Sequence, residues 1–118
     1  MKTTQLQFGS GKWIVDNMPS DFPAEKAQLV LVFGSGALVT SEELFNQIKS
    51  KFSQADIVSC STAGEILHSE VYDDSAVVTA IYFEKASVKS VSLEINKNVN
   101  SFETGKTLMG LLKQDDLV

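Results

Sequence analysis

The stretch "AQLVLVFGSGALVTSEELFNQIKSKFSQADIVSCS", residues 27–61, decides the fold. It opens with "AQLVLVFG", Ala27 to Gly34, an aliphatic and β-branched run that ends in "GSG" and reads as a buried strand. In "VTSEELFNQIKSKF", Thr40 followed by Glu43 has the spacing of a capping box, and Val39 can staple onto Leu44, so a helix is predicted to start there. Leu44, Phe45, Ile48 and Phe52 fall on one face of that helix, while Glu42, Lys49 and Lys51 fall mostly elsewhere. "ADIVSCS" then has no polar alternation, as expected of a second strand covered on both faces. Strand, helix and strand make a βαβ unit, whose right-handed crossover sets the two strands parallel with their carboxyl ends on one edge.

The downstream sequence extends this sheet. "DDSAVVTAIYFE", Asp73 to Glu84, is apolar on both of its faces and is predicted to be a central strand. "EKAS" reads as a hairpin link, and "VKSVSLEI" alternates Val91, Leu93 and Ile95 with Ser90, Ser92 and Glu94, as an antiparallel strand with one wet face would. "NSFETGKTLMGLLKQ" reads as a helix with Asn100 as its cap and Glu103 reaching back to it. The fold class is therefore α/β: a mixed sheet with a βαβ unit, a following antiparallel hairpin, and helices packed on the sheet. The final "DDLV" reads as the opening of a further strand, so residues 1–118 are expected to be a domain cut short at its C-terminus. Asp16 to Ala24, with Pro19 and Pro23, is the one candidate linker.

Composition narrows the function. With 118 residues, 43% of them hydrophobic, the chain can build one real core and not two. Ten basic residues against fifteen acidic ones leave a net charge of -5 and no basic run, which argues against nucleic acid as a partner. No segment has the length and apolarity of a membrane span or a secretory leader, so a cytoplasmic location is expected. One cysteine and one histidine rule out an internal disulfide and a zinc constellation.

The chemistry-bearing residues cluster around "SCSTAGE", Ser59 to Glu65. The βαβ topology sets this cluster beside "FGSG", Phe33 to Gly36, at the carboxyl ends of two parallel strands, where open α/β sheets bind ligands. Thr62 followed by Glu65 is a second capping-box spacing, so Ser61 to Gly64 can present free backbone N–H groups at the start of a short helical turn. The residues alone leave two readings open: a nest for a small polar ligand, or a strand-ending turn in which Gly64 supplies unusual dihedrals. Cys60 could be a nucleophile with a pKa lowered near a helix N-terminus, but its only possible histidine partner is His68, and a small buried thiol is the plainer reading. "GKT", Gly105 to Thr107, fails as a P-loop, because Asn100 stands at the first glycine position and Glu103 would put a negative charge into the phosphate nest. "GSGK" at Gly9 to Lys12 fails because Trp13 stands where magnesium needs a hydroxyl.

The succession "LVLVFGS", helix, "IVSCSTAGEI" and "VYDDSAVVTAIYF" resembles the N-terminal part of FIST domains, sensory domains of signal-transduction proteins. The likeness implies a small-molecule input domain rather than an enzyme, with an amino acid or related small polar ligand. It also implies as partners the C-terminal remainder of the FIST domain or an output protein such as a histidine kinase. It bears on Cys60, Ser61, Thr62, Ala63, Gly64 and Glu65, and further on Gly34, Ser35 and Asp73, as ligand-binding residues. Some FIST members resemble haem-based nitric-oxide sensors, which makes haem a possible cofactor here. His68 is then the first axial candidate, with Met1, Met18, Met109 and Cys60 behind it.

Overall fold

A computed structural model of the chain describes residues 1–62, 65–67, 70–72, 75–95 and 100–112, with the backbone alone at 65–67 and 70–72. Its contacts divide the chain into two units, Met1–Ser87 and Val88–Val118. The first unit opens with strands that the sequence pattern hides. Strands β1 (Lys2–Gly9) and β2 (Lys12–Val15) form an antiparallel hairpin, with Gly9 opposite Lys12. Its two-residue turn has φ of 53° at Ser10 and 75° at Gly11, the left-handed pair that matches the twist of the flanking strands. The register shifts between Gln7 and Phe8, a bulge in the ladder.

After a 3-10 turn at Ala24–Lys26 comes the expected βαβ unit. It consists of β3 (Leu29–Gly34), a short α1 (Gly36–Val39), α2 (Glu42–Lys51) and β4 (Asp56–Ser61). A two-stranded hairpin, β5 (Glu65–Leu67) with β6 (Glu70–Tyr72), and the long β7 (Ala76–Tyr82) complete the unit. The main sheet has the order β2-β1-β7-β3-β4. β3 and β4 are parallel, and β7 is central as expected, antiparallel to both β1 and β3.

The core follows from strand alternation. Leu6 and Phe8 on β1, Ala76, Val78 and Ala80 on β7, and Val30 and Val32 on β3 share one sheet face. Leu44 and Ile48 of α2, with Phe52, Ala55 and Phe22, close over it. Each of the larger side chains contributes about 1.5–3 kcal/mol through burial. Phe22 meets Phe52 edge to face at 6.3 Å. Above β2, Lys51 lies 5.1 Å from the Trp13 ring and 2.7 Å from Asp16 Oδ2, and Trp13 Nε1 donates to Gln47 Oε1. These contacts tie α2 to the N-terminal hairpin.

Four expectations are corrected. The cap of α2 is Ser41, whose hydroxyl accepts from the Leu44 N–H; Thr40 instead donates back to the Gly36 carbonyl at 2.8 Å. Phe45 is half exposed, because the buried stripe runs Leu44, Ile48, Phe52, and Phe45 lies one position around the helix. Among the described residues β4 is an edge strand rather than one covered on both faces, and it is exposed from Val58 to Ser61. Finally, the alternating residues 88–95 form no strand, since both edges of β7 are already paired by β1 and β3. The chain leaving β7 is held by Gln28, whose side chain accepts from Phe83 N–H at 2.8 Å and donates to the Phe83 and Ala86 carbonyls.

In the second unit, helix α3 spans Ser101–Leu111. Asn100 caps it as expected, its Oδ1 accepting from the N–H groups of Phe102 and Glu103. Gly105 to Thr107 therefore lie inside a helix and form no phosphate-binding loop.

Candidate functional site

The parallel pairing of β3 with β4 brings Gly34 opposite Ser61 and Phe33 opposite Cys60. Antiparallel β7 enters the same edge at Ala76, opposite Gly34. Gly34 is required there by close approach: a Cβ would lie 2.9 Å from Ala76 Cα, Ala76 Cβ and the Ser75 carbonyl oxygen. Two backbone bonds lock the corner, Thr62 N–H to Gly34 O at 2.9 Å and Ser35 N–H to Ser75 O at 3.4 Å. Ser35 then starts α1, its carbonyl accepting from Leu38 and Val39. Gly36 faces the end of β4, where a Cβ would come no nearer than 4.0 Å to Ser61 Cβ.

The structure thus gathers Gly34, Ser35, Ser61 and Thr62 at one corner. Ser35 and Thr62 are half-buried and Ser61 is exposed. It does not bring Cys60 to the same face. Strand alternation sets Cys60 with Phe33 and Val58 on the sheet face opposite the one that Ser61 shares with the core side chains. The Cys60 thiol is exposed, 3.5 Å from its neighbour's carbonyl at Ser61. The helical turn expected from Thr62 and Glu65 is also corrected, because Glu65 begins β5 and pairs with Tyr72. Ala63, Gly64, His68 and Asp73 lie outside the described residues.

Sequence reasoning missed two residues behind this corner. Gln7 and Ser75 are each 3% exposed, and Gln7 Nε2 donates to Ser75 Oγ at 3.1 Å, a buried polar pair spanning β1 and the start of β7. Polar Gln7 amid the apolar positions Leu6 and Phe8 was the available signal. A separate cleft of about 360 Å³, lined by Thr3, Thr4, Gln5, Asn17 and Pro19, sits toward the other end of the sheet, where β1 begins. For haem, Cys60, Met1 and Met109 are exposed, whereas a macrocycle needs an axial donor inside an apolar pocket; Met18 is half-buried and packs against the core cluster. Among the described residues no three His, Cys, Asp or Glu side chains converge as metal ligands, and no helix is long and apolar enough to cross a membrane.

The sequence profile of the FIST N domain matches residues 28–116. No curated protein and no solved structure shows a significant match to the chain.

Proposed function

Since the chain belongs to the FIST N domain family, whose members are sensory domains of signal transduction, we propose that it is an input module that binds an amino acid or a similar small polar molecule. The binding corner is where β3 and β4 end, at Gly34, Ser35, Ser61 and Thr62; Ala63, Gly64, Glu65 and Asp73 are proposed as further ligand-binding residues on the family likeness alone. The observation that carries this reading is the pairing of Gly34 with Ser61 beside Ser35 and Thr62. It is a hydroxyl-rich corner at the carboxyl edge of parallel strands, where ligands of α/β sheets sit.

Occupancy would be passed to a further FIST segment or to an output protein such as a histidine kinase, with the cytoplasm as the compartment. The test is a thermal-shift screen of the proteinogenic amino acids. At 100 times its dissociation constant a ligand adds about 2.7 kcal/mol to the stability of the protein that binds it. At least one amino acid should raise the midpoint, and Ser61→Val should diminish the rise. No shift with any of them, or an equal shift in the variant, would overturn the proposal.

A further inference from the structure

The two edges of the main sheet are built differently. β2 is four residues long, carries Lys12 at its start and is itself bulged at Ile14, all devices that discourage strand addition. β4 is longer and unbulged, and its one charge is Asp56 at the start. From Ile57 to Ser61 it holds no charge, no proline and no bulge, and its register with β3 is unbroken over six pairs.

The hydrogen-bond pattern says which backbone groups face outward. Asp56 N–H bonds the Gln28 carbonyl and Thr62 N–H bonds the Gly34 carbonyl, so the even-numbered positions of β4 point toward β3. By the two-residue period of a strand, Ile57, Ser59 and Ser61 turn their N–H and C=O groups to the open edge.

We propose that this edge is a homotypic interface, on which β4 of a second copy adds antiparallel about a two-fold axis through Ser59. Three features favour a second copy as the occupant. The outward-facing positions are symmetric about Ser59, so Ile57 meets Ser61 of the second copy and all three positions find partners. The strand's one charge, Asp56, lands opposite Thr62 of the second copy, and the two Asp56 carboxylates stay at opposite ends. Val58, 48% exposed, lands opposite Cys60 of the second copy, beside the 43% exposed Phe33, and joins two apolar strips into one. The contact is isologous and closes as a dimer.

The test uses the 118-residue chain. Sedimentation should show a concentration-dependent dimer. Ser59→Pro removes one outward N–H while leaving the bonds to β3 intact, and should raise the dissociation constant by about tenfold or more with an unchanged circular dichroism spectrum. An independent readout covers the case in which that variant folds poorly. Val58 and Cys60 of the second copy form a non-hydrogen-bonded pair with Cα atoms about 4.5 Å apart, within disulfide range. Val58→Cys treated with diamide, which is reduced as the thiols are oxidised, should therefore yield a covalent dimer much faster than wild type. A monomer at every concentration, a dimer indifferent to Ser59→Pro in its folded form, or wild-type cross-linking as fast as that of Val58→Cys would overturn the interface as drawn.

Discussion

Gly34 and Ala76 stand opposite each other across the antiparallel β3–β7 ladder, so close that a Cβ on Gly34 would lie 2.9 Å from both Cα and Cβ of Ala76. The approach draws the start of β7 against the end of β3 and lets Ser35 N–H reach the Ser75 carbonyl. A glycine at this one position thus shapes the corner on which the proposed ligand rests.

Gly34→Ala should destabilise the fold by about 1–3 kcal/mol, since the neighbour to be displaced is backbone rather than a flexible side chain. Gly105→Ala is the control. Nothing lies within 4 Å of a Cβ there and the site is inside α3, so that helix should gain about 0.5–1 kcal/mol. Chemical denaturation of the first variant and helix content by circular dichroism for the second would check the opposite signs.

The Gln7–Ser75 pair predicts non-additive energetics. Ser75→Ala leaves the buried Gln7 amide without this acceptor and should cost about 1–3 kcal/mol. Gln7→Met removes the donor instead. In a double-mutant cycle the two losses should overlap, with a coupling of about 0.5–3 kcal/mol; additive losses would mean that the bond contributes nothing net.

Capping separates two neighbouring hydroxyls. Ser41→Ala should cost about 1 kcal/mol, because the Leu44 N–H loses its acceptor. Thr40→Ala should stay within about 0.5 kcal/mol, its hydroxyl being exposed and bonded only back to the preceding turn. Urea midpoints of the two variants would distinguish them, and the reverse order would restore Thr40 as the cap.

The βαβ unit was legible because its strands are nearly unbroken aliphatic runs and its helix carries the period Leu44, Ile48, Phe52. The N-terminal hairpin was not. β1 alternates Leu6 and Phe8 with Gln5 and Gln7, and those amides bond across the sheet to Thr79 and Ser75, so a buried strand looks polar in sequence. Residues 88–95 failed the opposite way: their alternation is real, yet no edge of β7 remained to receive them. At the site, the βαβ reading correctly brought Gly34 and Ser35 beside Ser61 and Thr62. It grouped Cys60 with Ser61, although adjacent residues of one strand face opposite sides of the sheet. The Thr62-to-Glu65 spacing misled because the same four-residue pattern can lead into a strand, and here it leads into β5.

The central claim, a ligand at the corner where β3 and β4 end, is tested most directly by calorimetric titration of wild type and Gly36→Val with the amino acid that gives the largest thermal shift. At Gly36 a Cβ makes only ordinary contact, 4.0 Å from Ser61 Cβ, so the variant should fold as wild type does. Its branched side chain would project beside Ser61 and obstruct the ligand's approach to the proposed corner. Wild type should give saturable heat, and Gly36→Val an affinity weakened by about tenfold or more. Equal affinity in the two proteins would contradict the claim.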